Sequence, residues 1–169
     1  PAGWDRLGGD IDGEATGDQS GEFIALSADG TVVAIAAAGN DGTTGNVSDN
    51  RGHVRVYKYT PNKTVNVTNQ NDASFGPVGW TRLGEDIDDE EEGDYSNSVS
   101  LSADGTIIAI GARWADGSGN LLPNSGHVRV FKYTPGKPAI TNQNDPSFGP
   151  IGWTRLGADI DGEAAGDDS

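Results

Sequence analysis

Residues 26–42 read LSADGTVVAIAAAGNDG, and residues 101–117 read LSADGTIIAIGARWADG. Two more pairs recur in the same order. RGHVRVYKYTP (51–61) matches SGHVRVFKYTP (125–135), and TNQNDASFGPVGWTRLG (68–84) matches TNQNDPSFGPIGWTRLG (141–157). An acidic phrase occurs three times: GWDRLGGDIDGEATGD (3–18), GWTRLGEDIDDEEEGD (79–94) and GWTRLGADIDGEAAGD (152–167). Trp4 to Trp80 is 76 residues and Trp80 to Trp153 is 73, so one supersecondary unit recurs along the chain.

Each unit reads as four strands. The first is Phe23–Ser27 or Ser98–Ser102, where Ile24 and Leu26, or Val99 and Leu101, share a face. Ala28-Asp29-Gly30 and Ala103-Asp104-Gly105 follow, and Asp-Gly between apolar runs is a tight-turn signal because glycine accepts positive φ. The second strand, Thr31–Ala37 or Thr106–Ala112, is continuously apolar, which predicts burial of both faces. In the third, GHVRVYKY or GHVRVFKY, Val54 and Val56 (Val128 and Val130) point one way, and His53, Arg55 and Tyr57 the other. The fourth is the GWTRLG phrase, which the chain also carries at 3–8. No segment sustains a helical period. The fold class is therefore all-β: tandem four-stranded antiparallel blade-like repeats, propeller-like, in an open-ended array or a strand-sharing assembly.

Composition agrees with short strands and frequent turns, since 34% of residues are hydrophobic and glycine is abundant, at 26 residues. A net charge of −15 repels nucleic acid and anionic membrane and attracts cations. No run of 18 apolar residues is present, so no membrane insertion is expected. The absence of cysteine excludes disulfides and thiol chemistry. The chain begins Pro1-Ala2-Gly3, without Met or a visible signal peptide, and reads as a processed product or an excerpt.

SLSADGTIIAIGA (100–112) and SGHVRVFKY (125–133) resemble the FG-GAP-type repeats of integrin α-subunit propellers, and more closely the related repeats of secreted and surface microbial proteins. The resemblance implies four-stranded antiparallel blades, an extracellular or cell-surface location and an adhesive or structural role. Two features depart from it. The family's calcium loop lies between the first two strands, where this chain has only Ser-Ala-Asp-Gly-Thr, so calcium ligands do not carry over to Asp29 or Asp104. Phe75-Gly76 and Phe148-Gly149 precede the fourth strand, so they are not the family's Phe-Gly.

The acidic phrase has its own metal logic. Its carboxylates fall at relative positions 1, 3, 5 and 9: Asp10, Asp12, Glu14 and Asp18; Asp86, Asp88, Glu90 and Asp94; Asp159, Asp161, Glu163 and Asp167. Calcium takes six to eight oxygen ligands, and alternate residues of a tight loop can aim carboxylates at one point. The glycine usual at position 6 of such loops is replaced by Ala15, Glu91 and Ala164. A calcium loop and a solvated acidic turn both remain open. The isoleucine at position 2 (Ile11, Ile87, Ile160) is expected to anchor the turn by packing inward.

Other residues read as structural. His53 and His127 occupy the same place in both units, and an active site rarely needs a copy per unit. Ser27 and Ser102 have no evident base, so enzyme activity is not expected. The repeated Trp fills space between units or stacks a sugar, and Trp114, which breaks the repeat, is expected to be more exposed. The third-to-fourth connections (60–78 and 134–151) are long enough to be functional or mobile. Sequons at Asn46, Asn62 and Asn66 lie in expected surface loops, where glycans attach.

The chain divides into 1–18, the closing strand and acidic turn of a preceding unit; 19–94, the first unit; and 95–169, the second unit with a third acidic turn. Two units do not close a propeller. Open ends favour head-to-tail contacts with copies of the chain or with adjacent repeats. The expected function is a structural or adhesive module of an extracellular repeat protein, fibre-forming and calcium-stiffened. The alternative is a fragment of a ligand- or carbohydrate-binding propeller, with glycans as partners.

Overall fold

The computed structural model describes residues 3, 5–42, 49–116 and 122–166, leaving aside the side chains of 96 and 97. The described residues are all-β and form two antiparallel five-stranded sheets of the same design. The first sheet has the order β1 (Ser20–Leu26), β2 (Val32–Ala37), β3 (His53–Tyr59), β4 (Trp80–Arg82), with β5 (Ile87–Asp88) also on β3. The second comprises β6 (Ser96–Leu101), β7 (Ile107–Ala112), β8 (His127–Tyr133), β9 (Trp153–Arg155) and β10 (Ile160–Asp161), with β9 and β10 both on β8.

The β1–β2 turn is built by its own side chains. Asp29 Oδ1 accepts from Ser27 Oγ (2.7 Å), Thr31 N (3.0 Å) and Thr31 Oγ1 (2.9 Å), and Gly30 takes φ 69°. Asp104 repeats this with Ser102 and Thr106, and these hydrogen bonds hold its carboxyl down to about 2. The carboxylate of each turn is thus already committed to local donors.

Two differences from the expected strands have physical causes. The first strand begins at Ser20, not Phe23, because a bulge between Ser20 and Phe23 lets the register resume with β2. The fourth strand is two pieces. Trp80–Arg82 pairs with Tyr57–Tyr59, the chain leaves the ladder, and Ile87–Asp88 returns to pair with His53–Val54. The acidic phrase therefore contains a strand. The equivalent stretch at 5–12 forms no strand, since no third strand lies beside it to complete a ladder.

The sheets stack, with β6 lying across β1 and β2. Register places Ala34, Ala36, Val54 and Val56 on the rear of the first sheet, and Ile108, Ile110 and Phe131 on the front of the second; these two faces form the main core with Ile87 and Trp153. β2 is buried on both faces apart from the half-buried Ile35. Each long connection is closed by one bridge, Val67 to Gly76 and Ile140 to Gly149, and the ammonium groups of Lys63 and Lys137 donate to carbonyls at the base of each loop.

Candidate functional site

The seam between units is where the chemistry-bearing residues meet. In β3 the alternation puts His53, Arg55 and Tyr57 on the front face, and all three are buried under the acidic phrase of residues 10–14. A buried guanidinium requires carboxylate partners. Arg55 has two, drawn from different phrases. Its Nε and NH2 bind Asp86 Oδ1 and Oδ2 at 2.8 and 2.6 Å, and its NH2 also meets Glu14 Oε1 at 2.5 Å. Burial opposes the charge on Asp86, but the Arg55 hydrogen bonds and charge outweigh it and lower its pKa.

The second unit also clamps its arginine, but with partners from the preceding phrase. Arg129, buried on the front of β8, donates to the Asp88 carbonyl at 3.1 Å, pairs with Asp89 Oδ1, and lies 3.6 Å from Glu90 Oε1. His127 Nε2 lies 3.1 Å from Asp89 Oδ1. Asp89 stands where the other two phrases have Gly13 and Gly162, and it is fully enclosed. The pKa values of the two histidines are consequently displaced in opposite directions. Burial, then Arg55, lowers His53. Burial also acts downward on His127, but the Asp89 carboxylate outweighs it and raises that pKa.

The remaining predicted ligands scatter rather than converge. Asp18 is buried as the cap of its own turn, accepting from Glu14 N (3.1 Å), Ala15 N (2.9 Å) and the Asn40 amide (3.1 Å). Asp94 is its counterpart and accepts from Glu91 N at 3.0 Å, but Ala115 replaces Asn40 in the second unit. Burial, then the neighbouring Asp89 charge, pushes Asp94 up to about 6. Asp10 and Asp159 pair with the arginine four residues before them, at 3.4 and 2.9 Å, as Asp86 does with Arg82 at 2.8 Å. Asp88 and Asp161 sit in β5 and β10 opposite the histidines, while Asp12 and Glu163 are exposed. Asp167, Asn46 and Trp4 lie outside the described residues.

Among the described residues, one group has metal-like spacing: Glu14, His53 and Asp86, with ligand atoms within 4.8 Å of one another. It joins two phrases rather than lying within one, and the Arg55 guanidinium already fills its charge demand. Both carboxylates of the group are thus paired with a cation of the chain itself. The loop of the family resemblance fits no better, because Asp29 and Asp104 are held by their own turns. Asn62 and Asn66 are exposed, and Asn66 Oδ1 accepts from Val78 N at 2.9 Å.

No family model, curated protein or solved structure matches the chain. The seam's own geometry thus carries the functional argument. Trp80 and Trp153 close each seam: their indole N–H groups donate to the carbonyls of Leu7 (3.0 Å) and Leu83 (3.1 Å) in the preceding phrase. Trp114 is exposed and lies against Arg113.

Sequence reasoning missed Arg55, Arg129 and Asp89. The signal was available in part, since alternation placed each arginine on the face of a buried aromatic, where only a carboxylate-rich neighbour can satisfy it. A cavity of about 390 Å³ lies beside the first seam, between the acidic phrase and the long connection, lined by Asp12, Glu14, Arg55, Thr68, Gln70 and Phe75 among others.

Proposed function

We propose that this chain is a structural repeat module of an extracellular array, in which successive sheets stack front to rear and the acidic phrases serve as seams clamped by arginine. The observation that carries the reading is the use of the same apparatus twice. At both seams a phrase carbonyl accepts a tryptophan N–H from the next unit, and a buried arginine of that unit binds the phrase's carboxylates. A device repeated per unit suits stacking better than a single active site. The extracellular setting and adhesive role come from the family resemblance, and glycans on Asn62 and Asn66 would decorate the exposed connection. In this reading arginine rather than calcium stiffens the seams, and the calcium test below checks that assignment.

Electron microscopy of the chain and of in-frame tandem copies tests the array. Rods whose length grows with the number of units support it. Discrete rings sink it and favour a closed ligand-binding propeller. That second reading draws on the cleft at the first seam, whose carboxylates, amide and Phe75 ring are groups that bind sugars. Specific binding on a glycan array, lost in Gln70→Ala, would support it.

A further inference from the structure

The two seams are built from nearly the same sequence, yet they are fastened differently. The turns that follow β2 and β7 are equivalent: Asn40 N donates to Ala37 O and Gly52 N to Asn40 O, as Ala115 N does to Ala112 O and Gly126 N to Ala115 O. In the first unit this turn grips its phrase. Gly39 N donates to Asp18 O at 3.2 Å, and the Asn40 amide donates to Asp18 Oδ2 at 3.1 Å and to Glu14 Oε2 at 3.3 Å. In the second unit the same two places hold Trp114 and Ala115. Ala115 has no side-chain donor, and among the described residues no backbone hydrogen bond joins Trp114 to Asp94. There the phrase supplies the grip instead. Asp89, fully enclosed, lies 3.1 Å from His127 Nε2 and pairs with the Arg129 guanidinium, where the first phrase has only Gly13.

Crossing the partners would lose on both sides. At the first seam a Cβ on Gly39 would lie 2.4 Å from Gly17 O, so only glycine lets the phrase come that close. A phrase of the first type set against the second unit would meet Trp114 at that point. Its Asp18 carboxylate would lose the Asn40 amide, and Gly13 would leave His127 and Arg129 without the carboxylate they enclose. Buried polar groups left unpaired in this way carry their full desolvation penalty. The second phrase set against the first unit fares little better. A Cβ on Gly13 would meet Ser20 Cβ at 3.1 Å, and an aspartate there would add a third carboxylate to the two that already share Arg55.

We propose that the seams are keyed: Gly39 and Asn40 make the first unit select a phrase with glycine at the Gly13 place, and Trp114 and Ala115, which withhold that grip, make the second unit select a phrase with aspartate there. The inference rests on the array reading and deepens it, because the key fixes which phrase docks on which unit and hence the order of units along the array. Near-identical repeats need such discrimination, since misassembly between neighbours is their characteristic folding error. The discrimination lies in the difference between matched and crossed pairings, and it does not require either seam to be the more stable.

The test is a cycle in the full chain, read by urea denaturation near neutral pH. Asp89→Gly gives the second phrase the residue of the first, Trp114→Gly with Ala115→Asn gives the second unit the turn of the first, and a third variant combines them. Asp89→Gly should lower the folding constant by about 100-fold or more, as expected when a buried pair is broken. In that background the two turn substitutions should raise the constant by at least about fivefold more than they do in the native chain. Equal effects in the two backgrounds would overturn the proposal, as would an Asp89→Gly chain of native stability. A second cycle, at the first seam, does not require Asp89→Gly to fold. Gly13→Asp should lower the folding constant less beside Asn40→Ala than in the native chain, and an equal or greater loss overturns the proposal. Tandem copies that form rods while both cycles are additive would leave the array intact and remove only the key. Coupled cycles without rods would keep the key within this chain and remove the array.

Discussion

Asp86-Ile87-Asp88 and Asp159-Ile160-Asp161 are the same tripeptide in the same short strand, paired to equivalent strands. Ile87 is 1% exposed and Ile160 is 63% exposed. Local sequence and local pairing are therefore not what makes this isoleucine a core residue. The difference is the second sheet, which lies over Ile87 and has no counterpart over Ile160 among the described residues. The same holds for the charges. Arg129 binds Asp89 with both groups out of water, whereas Arg6 and Asp10 pair in the open.

The largest expected effect breaks the comparison at its charges. Arg129→Ala strands Asp89 in a dry seam and should cost about 3–5 kcal/mol by urea denaturation. Arg6→Ala should cost less than about 0.5 kcal/mol, since exposed pairs contribute little. Equal losses would show that the seam is wet. Next come the isoleucines. Ile87→Ala should destabilise by about 2–5 kcal/mol through lost burial and a cavity. Ile160→Ala should fall within about 0.5 kcal/mol of the native chain. A large effect at Ile160 in dilute solution would mean that this face is already covered.

A smaller effect is expected from pH, and here the two seams differ in sign. Asp94 sits at about 6 when folded against an ordinary 3.8, so the folded state holds its proton more tightly. Its contribution is present below pH about 4 and is lost as pH rises through about 6. His127, raised above 6.5, acts in the same direction: its contribution is present below 6.5 and disappears as pH rises through the folded value. Asp86, lowered below 3.8, acts oppositely, and its contribution is lost only as acid takes pH down through the folded value. Asp94→Asn should therefore stabilise the chain by about 1 kcal/mol at pH 8 and by nothing measurable at pH 4. A pH-independent difference between variant and native chain would contradict this. The smallest expected effect is that of calcium. With Arg55 and Arg129 meeting the carboxylates, melting midpoints in calcium and in chelator should agree within about 1 °C. A rise of several degrees would restore the ion as a stiffener.

Much of the fold was legible in the residues. Repetition of LSADGT and GHVRV defined the unit, Asp29-Gly30 and Asp104-Gly105 marked the turns, and the apolar runs after them marked strands, of which β2 is buried on both faces and β7 on one. These are local signals, and local chemistry carries them out, as the Asp29 and Asp104 side chains bonding within their own turns show. The site was legible only in part. Spacing within a phrase suggested four carboxylates closing on one metal, yet Glu14 and Asp86, which do come together, belong to different phrases, 72 residues apart.

By itself, then, the sequence determined the unit, its period, its turns and the alternation that puts an arginine on each buried strand face. Those properties follow from backbone geometry and from side chains a few residues apart. Tertiary structure alone decided which copy of the acidic phrase becomes a dry seam, because desolvation depends on a second sheet closing over it. It also decided which carboxylate each arginine takes, and why His53 and His127 shift in opposite directions. Burial and charge pairing belong to stacked sheets, and no stretch of one strand encodes them.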